Sequence, residues 1–170
     1  MAQRLANPYG GGRGTGRVDE RARFENLVEL LEELAEANDA TPILVEGRRD
    51  VEALRKMGCR GEIIALHTGE TLFAVVERVA ASTKAVILLT DWDRKGTELL
   101  ERFHSLLTTH GVRCDRSYRD RIPGMVRLSF KDVESLPGYV DRGLEKFMRI
   151  RLNEKRWGDD WPHVDDVKYP

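Results

Sequence analysis

Apolar residues along this chain recur at two different periods, and the switches between them set the element order. From Asp19 to about Asn38, the residues Phe24, Leu27, Val28, Leu31, Leu34 and Ala35 recur at the helical period, with glutamates opposite. This predicts an amphipathic helix ended by Asn38-Asp39. The pattern then shortens. "PILVEG" reads as a strand and "RRDVEALRKMG" as a helix closed by Gly58. "EIIALH" is a second strand, reaching Gly69, and "TLFAVVERVAAS" a second helix. "AVILLTD" is a third strand, "GTELLERFHSLLTTHG" a third helix closed by Gly111, and "VRC" a fourth strand. Strands this apolar suit a sheet covered by helices on both faces. Their alternation with helices implies right-handed crossovers and a mostly parallel sheet, an α/β fold.

Beyond Asp115 the pattern blurs. "DRSYRDRIPGM" reads as basic loop, "VRLSF" as a short strand, and "KDVESLPGYVDRGLEKFMRIRL" as a turn followed by a helix. The tail "NEKRWGDDWPHVDDVKYP" is polar with two tryptophans. At the other end, "NPYGGGRGTGR" lacks the preceding strand and the Gly-Lys-Ser/Thr of a phosphate loop, and its composition predicts a flexible basic arm. The expected organisation is an arm over 1–17, a helix over 18–40, an α/β domain over 41–136 and a helical extension over 137–170.

Composition narrows the class. The chain has 170 residues, 41% hydrophobic and 34% charged, as in a soluble globular domain. A net charge of -1 argues against coating nucleic acid by bulk charge, though a local basic groove remains compatible with it. Cys59 and Cys114 fit no zinc or redox spacing and are expected to be ordinary thiols of a reducing cytoplasm. No apolar run approaches the roughly 20 residues of a membrane span, and no signal peptide is read at the start. The expected location is cytoplasmic.

The chemistry gathers at strand ends, where ligands bind in parallel α/β sheets. Glu46 ends the first strand; Asp91 and Asp93 end the third. If these strands are neighbours, the carboxylates converge. Side chains two apart on extended backbone share a side, so Asp91 and Asp93 can face one ion while Trp92 points elsewhere. Oxygen donors of this kind suit Mg²⁺ or Mn²⁺, and a cation would relieve the repulsion among clustered acids. A solvated strand end or a helix cap is the alternative for each acid. Gly47 would allow a tight turn and close approach of a phosphate; Gly96 would precede the third helix, with Thr97 as N-cap. The helix N-termini after Gly47 and Gly96 would face the same edge.

"ILVEGRRDVEAL" and "ILLTDWDRKGTEL" together resemble the Toprim domain, the catalytic module shared by topoisomerases, bacterial-type primases, some nucleases and recombination proteins. The resemblance runs from about Ile43 to Glu134. The small size is similar to that of stand-alone Toprim proteins, including archaeal ones and the bacterial nuclease that matures 5S ribosomal RNA. By position, the resemblance implies Glu46 as general acid/base and Asp91 and Asp93 as Mg²⁺ ligands. It implies a further ligand in "FKDVESLP", Asp132 or Glu134, with Glu134 preferred. Trp92 departs from the usual residue between the aspartates, and no topoisomerase tyrosine domain or primase zinc domain is read. A haloacid-dehalogenase-type phosphatase or a response-regulator receiver fits less well, because the acids then belong after the first strand.

Arg48, Arg49, Arg94 and Lys95 stand near the acids and are candidate phosphate contacts, together with Gly47 and Gly96. Arg113, Arg116, Arg119, Arg121, Arg127 and Lys131 follow; they read as a solvated face or as a track for a nucleic-acid backbone. Tyr118 reads as a packing residue, with stacking on a base as the alternative. Of the four histidines, His67 stands out, because it ends the second strand beside the site. The first functional reading is a Mg²⁺- (or Mn²⁺-) dependent enzyme acting on nucleic acid phosphodiesters, a nuclease foremost. A non-catalytic nucleic-acid or protein binding module and a primase-like nucleotidyl transferase are the alternatives. RNA or DNA, and the oligomeric state, stay open.

Overall fold

Strands β1 (Ile43–Val45), β2 (Ile63–Ala65), β3 (Ala85–Leu88) and β4 (Arg113–Asp115) form one parallel sheet in the order β2-β1-β3-β4. The computed structural model describes residues 15–67, 69–127 and 129–147 of the protein. In β1, Ile43 pairs with Ile63 on one side and Ile87 on the other, which makes β1 and β3 the central pair. Period-two alternation sorts their side chains. Ile43, Val45, Ile87 and Leu89 enter one core; Leu44, Val86 and Leu88 enter the other.

The helices complete the two layers. α1 (Thr15–Asn38), α2 (Arg48–Lys56), α5 (Ser117–Val126) and α6 (Leu136–Phe147) close the first core, through residues such as Phe24, Leu54, Ile122 and Val140. α3 (Leu72–Ser82) and α4 (Arg94–Thr109) close the second, through Val75, Val79, Leu100 and Phe103. Both faces are therefore buried, as the apolar strands required. No helix among the described residues is long and apolar enough to cross a membrane.

Three expectations change. α1 already includes 15–17, at the end of the predicted arm; residues 1–14 and the tail from 148 lie outside the described residues. The segment "DRSYRDRIPGM" is not irregular: it contributes most of helix α5, despite Pro123 inside it. Tyr118, Ile122 and Val126 recur at four-residue spacing and all pack on the first core, so burial outweighs the proline. The expected strand in "VRLSF" is absent among the described residues: Val126 ends α5 and Arg127 takes a left-handed φ of 50°. The predicted turn and helix that follow are present as a 3-10 turn (Val133–Ser135) leading into α6.

Candidate functional site

Because β1 and β3 are neighbours, Glu46 and Asp91 meet at their carboxyl ends. The Asp91 N–H donates to Glu46 Oε1 at 2.9 Å. Gly96 makes this approach possible. It is buried in the first turn of α4, and a Cβ there would fall on the Asp91 carbonyl oxygen and 2.7 Å from Glu46 Oε1. The carbonyl is backbone and cannot rotate away. Gly96→Ala should therefore lower unfolding stability by about 1–3 kcal/mol, as overpacking does. Urea denaturation checks this, and an unchanged midpoint would show that the loop has room to move.

The acids do not all have the same surroundings. Glu46, Asp91, Asp132 and Glu134 line one cleft of about 390 Å³, with Gly47, Arg48, Arg49, Asp50 and His67. Asp91 Oδ1 accepts from the Val133 N–H at 3.0 Å, which ties the β3 loop to the 3-10 turn. Asp132 caps that turn by accepting from the Ser135 N–H at 2.9 Å. Glu134 pairs with Arg49 at 3.6 Å, both well exposed. Asp93 does not line the cleft: it is exposed, and its Oδ1 accepts from the Gly96 N–H at 2.7 Å. Asp93 is thus the N-cap of α4, the role expected of Thr97, whose hydroxyl instead donates back to the Asp93 carbonyl. Arg94 and Lys95 are exposed on the first turn of α4. Arg94 pairs with Glu98, and Arg48 with Glu52, each along its own helix.

Two residues of this region were not singled out from the sequence. Asp50 is 5% exposed, and its carboxylate accepts from the Gly47 N–H at 2.9 Å. The third position of a helix opening after a glycine was the available signal, since acids there reach back to the cap. Arg119, read as part of a basic run, is buried under the β3 loop at 6% exposure and is no surface phosphate contact. Trp92 stacks edge-on against Phe130 and donates from Nε1 to the Arg119 carbonyl at 2.7 Å. Tyr118 packs on the first core as expected.

Burial and mutual repulsion raise the carboxyl pKa values here. Asp91 is pushed up to about 7, first by burial and then by Asp50, Glu46 and Asp132, against the bond from Val133. Glu46 is raised by burial and by Asp93, against the bond from Asp91 and the pull of His67. Asp50 is raised by burial, then by Glu134 and Asp132. Among the described residues, no three His, Cys, Asp or Glu side chains stand in an arrangement that would hold a metal ion as they are.

The Toprim domain family matches residues 41–118, a span that holds Glu46, Asp91 and Asp93 but not Asp132 or Glu134. A UPF0292 protein of Methanocaldococcus jannaschii is 36% identical over 121 residues, covering 71% of this chain and 94% of its own. One of Thermoplasma volcanium is 36% identical over 113 residues, covering 66% and 93%. A solved structure of a protein from Aquifex aeolicus is similar, with a TM-score of 0.56 and 30% identity, over 65% of this chain and 97% of that one. The chain belongs to the UPF0292 family and carries the Toprim domain that Glu46-Gly47 and Asp91-Trp92-Asp93 led us to expect.

Proposed function

We propose that the protein is a Mg²⁺- or Mn²⁺-dependent enzyme that cleaves phosphodiester bonds of nucleic acid. One observation carries the reading: Glu46 is held on the Asp91 backbone at the mouth of a carboxylate-lined cleft, with two exposed arginines beside it. The donor set is of the kind a hard divalent cation takes, because it is made of carboxylate oxygens. Burial together with the neighbouring acids pushes Asp91 up to about 7, a conflict that a cation would relieve. Asp91 would hold the ion, with Asp93 and Glu134 as further ligands, the first by its oxygen outside the cap and the second by leaving Arg49. A bound cation would offset charge on the phosphoryl oxygens.

The chain's own groups do the rest. Glu46 takes the proton of the attacking water or returns one to the leaving oxygen. Burial raises its pKa above the ordinary glutamate value, which makes the carboxylate a stronger proton acceptor. Arg48 and Arg49, at the start of α2, would meet neighbouring phosphates, while Gly47 leaves the backbone approachable. Arg94 and Lys95, exposed on the first turn of α4, would meet the chain further along. Gly96, expected beside them as a phosphate contact, is buried with its N–H held by Asp93 and serves the approach of Asp91 to Glu46 instead.

The binding-module reading draws on one observation, that Asp93 is already occupied as a cap. Incubation with structured RNA and DNA in Mg²⁺, Mn²⁺ or EDTA separates the two. Metal-dependent cleavage of either substrate is the expected result. Tight binding without cleavage in either metal would overturn the enzyme reading in favour of the module; transfer of nucleotides to a primer would replace it with the primase-like one.

A further inference from the structure

We propose that Arg119 is a positioning residue: from α5 it sets the β3 loop that presents Asp91 to Glu46. The inference deepens the reading above and rests on it for its consequence in catalysis. Arg119 lies just past the matched Toprim span of 41–118.

The geometry is one of complementary donors. Arg119 Nε donates to the Thr90 carbonyl and to Thr90 Oγ1, both at 3.1 Å. Its Nη2 donates to the Asp91 carbonyl at 2.7 Å and to Thr97 Oγ1 at 2.9 Å. Both threonine hydroxyls have already given their protons away, Thr90 to the Gly96 carbonyl at 2.8 Å and Thr97 to the Asp93 carbonyl at 2.9 Å. What faces them must therefore donate and need accept nothing. The guanidinium is such a group, with five N–H donors in a fixed plane and no acceptor. One side chain thus joins the residue before Asp91, Asp91 itself and the first turn of α4.

Pro123 completes the brace. A proline inside a helix removes the N–H that would bond the carbonyl four residues back. Here that carbonyl is Arg119's, and it accepts from Trp92 Nε1 at 2.7 Å instead. α5 therefore grips Thr90–Thr97 twice, by the Arg119 side chain and by its carbonyl. A buried guanidinium whose hydrogen bonds run to carbonyl and hydroxyl oxygens is a costly way to fill space, where an apolar side chain would serve. Its cost is understandable if the placement of Asp91 depends on it.

The test is amide hydrogen exchange in Arg119→Met and Arg119→Lys, beside cleavage rates. The Asp91 and Val133 amides report the site directly, because they bond Glu46 and Asp91. The Ile87 and Leu89 amides report the sheet. In Arg119→Met the first pair should exchange at least about tenfold faster relative to the second, with Lys restoring part of the protection. The cleavage rate constant should fall about 10²-fold, the scale of a misplaced reacting group, and KM should change little. Should Arg119→Met fail to fold, Thr97→Val removes a single acceptor and should produce the same selective loss on a smaller scale. Uniform acceleration of all four amides, or none, overturns the inference. If wild-type protein cleaves nothing while the selective exchange is seen, the nuclease reading fails and the positioning role stands.

Discussion

Glu46→Gln should slow metal-dependent cleavage by about 10²–10⁴-fold, the usual contribution of a general acid or base, and leave nucleic-acid affinity nearly unchanged. Glutamine keeps the length of the side chain and an oxygen that can accept from the Asp91 N–H, so the 2.9 Å contact that joins β1 to the β3 loop is preserved. What disappears is the capacity to carry a proton. The substitution also removes a charge from a half-buried position already strained by Asp93 and Asp50, so the variant should be no less stable than wild type. Single-turnover cleavage gives the rate, and filter binding in Ca²⁺ gives the affinity. A variant that cleaves as fast as wild type would remove Glu46 from the chemistry. If binding instead collapses in Arg48→Ala and Arg49→Ala while Glu46→Gln changes nothing, the protein is a binder.

Asp91→Asn should raise the stability of the metal-free protein and abolish its stabilisation by Mg²⁺. Burial, and then the neighbouring acids, push the carboxyl from an ordinary 3.8 up to about 7. Between those values the folded state holds a proton that the unfolded chain has lost, so stability falls as pH rises from about 4 to 7 and stays low above that. Three pKa units correspond to a ceiling of about 4 kcal/mol; partial exposure of the carboxylate reduces this to about 1–2 kcal/mol. Asparagine removes the ionisation but keeps an oxygen for the Val133 N–H. In wild type without metal, Tm should therefore decline from pH 5 to pH 8. Mg²⁺ should restore it increasingly toward pH 8, where the ion no longer competes with a proton. In Asp91→Asn both the decline and the Mg²⁺ response should be much reduced. An Mg²⁺ shift of the same size in the variant would place the ion elsewhere.

Much of the fold was legible because the local and the long-range requirements agree. The β1, β2 and β3 strands are short apolar runs set between amphipathic helices, and burial on both faces leaves no other arrangement for them. α5 was not legible, because proline and glycine in "RDRIPGM" are local breakers, and only contact with the first core makes Ile122 and Val126 worth a helix. The expected strand in "VRLSF" failed for the same reason: Val126 is taken by that helix.

The candidate site divides similarly. Glu46, Gly47 and Asp91 were readable from the order of strand ends, since a parallel crossover sheet delivers those ends to one edge. Asp93 and Gly96 were readable as positions but not in their local roles, because capping depends on where the helix begins; it begins at Arg94, one turn earlier than the glycine suggested. Asp132 and Glu134 were placed by resemblance alone, and their arrival at the cleft needs the 3-10 turn to fold back on Asp91. Arg119 shows the limit most clearly. In sequence it is one cation among many, indistinguishable from Arg116 and Arg121, which sit outside in ion pairs. Periodicity and spacing determined which residues belong to strands and which acids end them. Only the packing of α5 against the β3 loop decided that this one arginine is buried, because its partners are carbonyls and hydroxyls whose directions exist only once the chain has folded.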